Sequence, residues 1–436
     1  ADPQRDKGNS LRSWGERLNF PKGDHSDWSC LSDEMVTYCK RDVELTAAVY
    51  ERLLFELRDF GTDSVELEQR VQEITQKQVR NGWKLNVGQA IYLVATLKEK
   101  LYDLEDAVHR VFRPLPTFVK EVRPKVKKDG TISVVGLKFL GDQWSSIAGD
   151  FSRIDYPEFN LGSRQQIGRH LQHFGWKPCQ HTEHGQPIVN EKVLMGIKDI
   201  PEATYISEYL MVQKRIAQVE SWIEAADEDT ERVHGQVNTN GAVTGRMTHS
   251  KPNVAQVPAS RAPYGEECRS CWTVPEGYKL VGFDASGLEL RMLAHYMNDE
   301  EYTNEVINGD IHTANQKLAG LESRDQAKTF IYALLYGAGD AKLGSVAGGS
   351  RATGEGLKKR FMSNLPAFAN LKARVASEAA QGWIRGLDGR RLTVRSEHAA
   401  LNTLLQSAGA IVMKQALITL DNYGILWGLD YKIVGN

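Results

Sequence analysis

The sequence predicts a mixed α/β protein, rich in helix and built from more than one domain. Three observations carry that expectation. The chain has 436 residues, more than a single hydrophobic core usually supports. Its first half is dominated by apolar residues recurring at helical spacing. From Val233 onward the texture changes to short strands and glycine turns followed by helices.

Taken in order, the first 60 residues read as helices. SDEMVTYCKRDVELTAAVYERLLFEL places Met35, Tyr38, Val43, Leu45, Val49, Leu53 and Leu54 mostly on one helical face. A second helix is predicted from about Ser64 to Val79, closed by Asn81-Gly82 as a C-cap pair, and a third from Val87 to Phe112. Between Arg113 and Asn160 the chain is punctuated by proline and basic at Lys120, Arg123, Lys125, Lys127 and Lys128. A short strand is predicted there at Ile132–Leu140, after Asp129-Gly130, and the stretch reads as an insertion between helices. Helical pattern resumes at Ser163 and again at Tyr205–Ala226. Further on, a strand is predicted at Lys279–Phe283, helices at Gly287–Met297 and Ser323–Tyr336, a hairpin at Trp383–Val394 turning on Asp388-Gly389, and a long helix from Ser396 to about Asn422. Tyr431–Asn436 reads as the start of another strand.

Composition removes several function classes. No apolar run approaches the roughly 18 residues of a membrane span, and ADPQRDKGNS carries no signal-type segment, which points to the cytoplasm of the producing cell. A net charge of −2 leaves no globally basic surface, so any phosphate contact has to come from local clusters. Five cysteines are too few for a disulfide framework. Cys268 and Cys271 form a CxxC with no second pair to complete a zinc site, and read as two incidental thiols.

Four segments carry chemistry. In LVGFDASGLELR, Asp284 is expected at a strand-to-helix junction, as a divalent-ion ligand or simply as an N-cap. In RDQAKTFIYALLYG, Arg324, Lys328, Tyr332 and Tyr336 recur every four residues on one helix face opposite Phe330, Ile331, Leu334 and Leu335. Two cations and two phenols on one stripe suit a triphosphate, a sugar and a base; a solvated basic face is the plainer alternative. In SEHAALNTLLQSAGA, His398, Asn402 and Gln406 repeat the spacing with uncharged donors and acceptors, which suits a minor groove or a mildly polar face. NGAVTGRMTHSKPNVAQVP holds Thr244, Gly245 and Arg246 in a tight turn followed by Asn253 and Gln256, groups suited to phosphate contacts.

Their order matters more than any one of them. The TGR turn, DASGLELR, GDIHTANQ, RDQAKTFIYALLYGAGD and HAALNTLLQSAGA together resemble the family A DNA polymerases, most closely those of T-seven-like short-tailed phages. The resemblance implies a right-hand polymerase preceded by the remnant of a ribonuclease H-like exonuclease. It divides the chain into an exonuclease remnant (1–60), a thumb (61–232) with the basic insertion at about 113–160, a first part of the palm (233–300), fingers (301–395) and a returning palm segment (396–436). It implies deoxynucleotide addition to a primer end with two magnesium ions.

Residue by residue, the resemblance makes Asp284 a metal-binding carboxylate, with the Ala285 carbonyl completing a coordination sphere. Arg324 and Lys328, assisted by His312, grip the incoming triphosphate. Tyr332 stands by the sugar and nascent pair, Tyr336 by the templating base, and Glu289 is the steric gate against a ribose hydroxyl. Relatives with phenylalanine at the position of Tyr332 discriminate against dideoxynucleotides, and those with tyrosine do not. Thr244, Arg246, Asn253, Gln256, His398, Asn402 and Gln406 contact primer–template. Tyr38 and Asp42 of YCKRD resemble the last motif of the proofreading nuclease, whose other carboxylates fall before this chain, so proofreading is expected to be absent. The insertion stands where phage relatives carry a loop that captures host thioredoxin. It is shorter here, which leaves a DNA-backbone contact as the alternative.

The same comparison places the second catalytic carboxylate motif beyond Asn436. The expected function is therefore phage DNA replication by template-directed polymerisation. The alternative is a catalytically inactive, primer–template-binding fragment of a truncated or split enzyme with a separate C-terminal piece. A single-subunit RNA polymerase is disfavoured by Glu289 and Tyr332.

Overall fold

The structure is a computed structural model, and it describes residues 8–59 and 61–435. Ala1–Lys7, read above for the absence of a leader, lie outside the described residues, as does Asn436. The chain forms two compact units. One holds the described residues up to Trp83, Arg232–Gln256 and everything from Val274; the other holds Lys84–Glu231 and Val257–Thr273.

The first unit opens with α1 (Leu11–Arg17) and α2 (Asp33–Glu56), whose N-caps Ser10 and Ser32 accept from Ser13 N and Met35 N. In α3 (Thr62–Asn81) the buried Leu67, Val71 and Ile74 form one face. The helix stops at Gly82, with φ of 60°, where a Cβ would lie 2.8 Å from the His234 ring. Left-handed backbone and lack of room both select glycine there.

The second unit begins within β1 (Trp83–Leu85), at Lys84. α4 (Val87–Val111), capped by Asn86, is followed by the antiparallel pair β2 (Thr117–Val122) and β3 (Phe151–Asp155), then α5 (Arg164–His173), α6 (Glu191–Met195) and α7 (Ala203–Glu224). α4 packs along α7, and Leu93, Leu97 and Leu104 of the one and Ile206, Val212 and Val219 of the other are buried. Each such side chain contributes about 1.5–3 kcal/mol on removal from water.

The chain returns to the first unit for β4 (Arg232–Val233) and the hairpin of β5 (Gln236–Asn238) with β6 (Thr248–Ser250). α8 (Gly265–Ser270) and β7 (Trp272–Thr273) complete the second unit, with Thr273 and Trp272 pairing to Lys84 and Leu85 of β1. Everything later belongs to the first unit: α9 (Leu288–Met297), α10 (Glu300–Asn308), α11 (Ile311–Ala319), α12 (Arg324–Leu335), α13 (Asp340–Val346), α14 (Arg351–Asn364), α15 (Pro366–Ala379), the hairpin of β8 (Trp383–Arg385) and β9 (Arg391–Thr393), and α16 (Ala400–Leu426). Its main core gathers Leu290 and Leu293 of α9, Phe330, Ile331 and Leu334 of α12, Phe361, Phe368, and Leu401, Leu404 and Leu405 of α16. A second cluster joins Leu67, Val71 and Ile74 to Ile411 and Ile418.

Several expectations are corrected. Lys279–Phe283 is not a strand: no described segment pairs with it, and Leu280, Val281 and Phe283 are exposed. A strand needs a ladder to satisfy its backbone, and the residue pattern alone does not supply one. Tyr431–Gly435 is likewise not a strand, although Ile433 packs against the second core cluster and its carbonyl accepts from the Asn81 side chain at 2.8 Å. Ile132–Leu140 is not a strand either; beyond an isolated bridge from Ile132 to Val126, Gly136 at φ 97° breaks the pattern and a 3-10 stretch follows at Lys138–Ser146. α3 groups with the first unit, and Val257–Thr273 with the second. By length and composition alone the segment around α16 is apolar enough to cross a bilayer, more than the sequence reading allowed, but over half of that window is buried against the unit. Cys268 and Cys271 are both buried, with thiols pushed up to about 11 by burial, which makes them poor metal ligands and poor nucleophiles at neutral pH.

Candidate nucleotide and primer–template site

α12 starts at a fixed place because Ser323 accepts from Gln326 N while the Gln326 side chain accepts from Ser323 N, a capping box. Arg324 is thereby the first helical residue. Ala327, Phe330, Ile331, Leu334 and Leu335 are buried, and Arg324, Lys328, Tyr332 and Tyr336 remain on the accessible side. The stripe predicted from spacing is therefore real. The Tyr332 and Tyr336 rings lie 6.3 Å apart, and the His312 ring lies 6.3 Å from Tyr332.

α11 brings His312 to that stripe. Its N-cap, Asp310, accepts from His312 N through Oδ1 at 3.2 Å, and through Oδ2 from Thr313 Oγ1 at 2.7 Å and Arg324 Nε at 2.8 Å. The hydrogen bond from Arg324, more than any other contact, holds the Asp310 carboxyl well below the usual carboxylate range. The His312 imidazole is shifted down, first by burial and then by Arg324 and Lys328, so it is uncharged at pH 7. Its Nδ1 is buried with no hydrogen-bond partner among the described residues.

Glu289 sits in the first turn of α9 and takes a long hydrogen bond, 3.4 Å, from the Tyr336 hydroxyl. Burial and then the Glu289 charge raise the pKa of both Tyr332 and Tyr336; Arg246 opposes this at Tyr336, so the TGR turn lies within electrostatic reach. Gly337, at φ 75°, ends α12 where a Cβ would lie 2.5 Å from the His398 carbonyl oxygen. The foot of α12 thus abuts the entry to α16. His398 is in a 3-10 turn (Glu397–Ala399) and exposed, while Asn402 and Gln406 are half-buried one and two turns on.

The TGR turn is closed by Ala242 N to Arg246 O at 3.2 Å and Gly245 N to Ala242 O at 2.9 Å, with Gly245 at φ 77°. Thr244 is half-buried and Arg246 exposed. Asn253 turns its carboxamide oxygen to Ala255 N at 3.2 Å, and Gln256 closes the following 3-10 turn.

Asp284 is exposed at the end of the extended segment, three residues before the α9 N-cap, which is Gly287 at φ 62°. The simple N-cap reading of Asp284 is thereby removed. Asp284 and the Ala285 carbonyl offer hard oxygen donors of the kind magnesium takes. Among the described residues no three His, Cys, Asp or Glu side chains are grouped to hold an ion. These residues fit one edge of a magnesium site and do not fit a site for two ions. Tyr38 and Asp42 lie apart from all of this on α2, Asp42 paired to Lys22 at 3.3 Å with the same ammonium 5.2 Å from the centre of the Tyr38 ring.

Two sets of residues escaped the sequence reading. Asp310 was legible in principle, as an aspartate followed three residues later by a threonine at a helix start. The cluster of Glu68, Asp388, Arg390 and Lys414 was not, because Glu68 lies 322 residues from Arg390 and 346 from Lys414.

A model of the family described as DNA polymerase family A matches residues 138–432, more than half of the chain. The chain is 36% identical to the DNA-directed DNA polymerase of Escherichia phage T7 over 518 aligned positions, covering 97% of this chain and 73% of that protein. The figures are the same for the DNA-directed DNA polymerase of Enterobacteria phage T3. That alignment is longer than the chain, so those relatives carry residues with no counterpart here. Among solved structures, the POL domain of Pol1 from M. smegmatis in complex with DNA primer–template and dNTP superposes with a TM-score of 0.73 at 19% identity, covering 98% of this chain and 70% of that one, and so shares the fold. With its motifs in order, its helix-rich mixed α/β architecture and these matches, the chain belongs to DNA polymerase family A.

Proposed function

We propose that this chain binds primer–template and an incoming deoxynucleoside triphosphate for template-directed nucleotidyl transfer in phage DNA replication. The observation that carries the reading is the convergence of His312, Arg324, Tyr332, Tyr336 and Glu289 from three helices onto one accessible face. Arg324 offers a planar fork and Lys328 a point charge to the phosphates. Uncharged His312 adds a donor or acceptor without another cation. Tyr332 stands beside the sugar, Glu289 closes the space of a 2′-hydroxyl, and Tyr336 holds Glu289 while facing the templating base. Arg246, with Thr244, Asn253 and Gln256, and the stripe of His398, Asn402 and Gln406 lie along primer–template, reading pair geometry more than sequence. Asp284 and Ala285 would supply one edge of the magnesium site. The insertion, with β2 and β3, contributes a DNA-backbone contact in preference to capturing thioredoxin, and α2 is an exonuclease remnant.

A second reading, primer–template binding without extension by this chain, is favoured because among the described residues no three His, Cys, Asp or Glu side chains group around Asp284 to hold an ion. Gel retardation and primer extension with magnesium, run on the parent and on Asp284→Ala, separate the two. Extension by the parent and binding without extension by the variant support polymerisation. Binding without extension by both supports the second reading, and failure of the parent to prefer primer–template over duplex DNA defeats both.

A further inference from the structure

The Asp310 carboxylate accepts three hydrogen bonds, and only two of them serve its own helix. The bonds from His312 N and Thr313 Oγ1 cap α11, but the third reaches across to Arg324 Nε at the first turn of α12. A guanidinium has five N–H donors in a fixed plane, and engaging Nε leaves the Nη1 and Nη2 edge free and its direction set. Both side chains are about half exposed, so the pair is not there to hold the fold. His312 leaves the same Asp310-capped turn, and its buried Nδ1 has no partner among the described residues. One carboxylate therefore engages Arg324 directly and caps the turn from which His312 leaves.

We infer that Asp310 is a positioning residue for nucleotide binding, aiming the Nη edge of Arg324 and the ring of His312 together at the triphosphate. The inference rests on the reading of α12 as the triphosphate-binding helix. Its acceptor stays ionised across the neutral and mildly acidic range, because Arg324 and Thr313 both donate to it. An uncharged Arg324 is not accessible to a protein, so the pair persists wherever the fold does.

The test is binding of a complementary deoxynucleotide to the full chain on a primer ended with a dideoxynucleotide, read by fluorescence with no chemistry required. Serine caps a helix about as well as aspartate but is too short to reach Arg324. Asp310→Ser should therefore keep the parent's melting temperature and primer–template affinity while weakening nucleotide binding roughly tenfold. Asp310→Asn, which keeps reach but not charge, should fall between them. In an Arg324→Ala background the serine change should cost at most what it costs through His312 alone, well short of tenfold. Full nucleotide affinity in Asp310→Ser, with a loss in Arg324→Ala, overturns this inference alone. So does a tenfold loss that persists undiminished in the Arg324→Ala background. Equal affinity of Arg324→Ala and the parent overturns the triphosphate reading of α12 and this inference with it.

Discussion

Two carboxylates in the first unit each hold an arginine at nearly the same distance, and they do opposite work. Asp310 meets Arg324 at 2.8 Å with the two side chains 43% and 51% exposed. Glu68 meets Arg390 at 2.7 Å and Lys414 at 2.6 Å, with Arg390 7% and Lys414 2% exposed. Arg390 is also bound by Asp388, through Nε and Nη2. The buried cluster ties α3, the β8–β9 hairpin and α16 together, and Gly245 of the TGR turn is pressed against it, since a Cβ there would lie 3.0 Å from Arg390 Nη1. In the exposed cluster the cationic side is left facing solvent. Distance alone does not decide what an ion pair is for; what remains unsatisfied around it does. Burial with every charge answered makes a joint, whereas exposure with donors to spare makes a binding site.

The largest effect should come from breaking the joint. Glu68→Ala leaves Lys414 buried without its carboxylate and Arg390 with one partner fewer, and should lower stability by about 3–5 kcal/mol. Burial already pulls the Lys414 ammonium down against the attraction of Glu68, so the orphaned lysine has little in reserve. Urea unfolding of the parent, Glu68→Ala and Asp310→Ala measures the contrast directly. A loss in Asp310→Ala as large as in Glu68→Ala would erase the distinction.

Next in size is Arg324→Ala, which should leave unfolding unchanged and weaken nucleotide binding by roughly ten- to a hundredfold, the range of one or two charge-assisted hydrogen bonds. Titration of nucleotide onto the primer–template complex reads it. Arg324→Lys should recover only part, because an ammonium cannot hold Asp310 through one edge and phosphate through another. Full recovery by lysine would mean that only charge matters at this position.

Glu289 stands between the two extremes, half-buried with a single long bond from Tyr336. Glu289→Ala should barely change stability, and in an extending enzyme ribonucleotide use should rise relative to deoxyribonucleotide use. The ratio of the two specificity constants checks it, and an unchanged ratio would remove the steric role.

The exposed cluster was legible in sequence where the buried one was not. Arg324, Lys328, Tyr332 and Tyr336 share one helix, so helical spacing alone put them on one face, and capping by Ser323 fixed where it begins. α3, α4 and α12 were likewise found within a residue or two because their caps and periodicity are local. What failed was whatever depends on a partner distant in sequence. Lys279–Phe283 has the residues of a strand but no ladder, and the Glu68 cluster joins side chains more than 300 positions apart. Even Asp310 was overlooked for its bond from Arg324, which spans two helices; only its bonds from His312 N and Thr313 Oγ1 are capping signals.

The smallest effect tests the neutral end of the exposed stripe. Tyr332 is half-buried, and burial and then Glu289 hold its hydroxyl protonated far above neutral pH, so it is a dependable neutral donor and acceptor. A dideoxynucleotide lacks the sugar hydroxyl that otherwise hydrogen-bonds beside the triphosphate, and the groups left unpaired cost about 1–3 kcal/mol. A phenol at this position can fill the vacancy, since the His312 ring on one side and Tyr336 on the other fix Tyr332 along the stripe. Tyr332→Phe keeps the ring and its packing and removes one oxygen. In an extending enzyme it should therefore leave deoxynucleotide use nearly unchanged and raise discrimination against dideoxynucleotides by the fold-change that energy implies, roughly 5- to 150-fold. Ring packing alone would predict no change in the ratio, because phenylalanine packs as tyrosine does. An unaltered dideoxy-to-deoxy ratio would therefore reduce Tyr332 to a wall of the site and confine its chemistry to the charged turn held by Asp310.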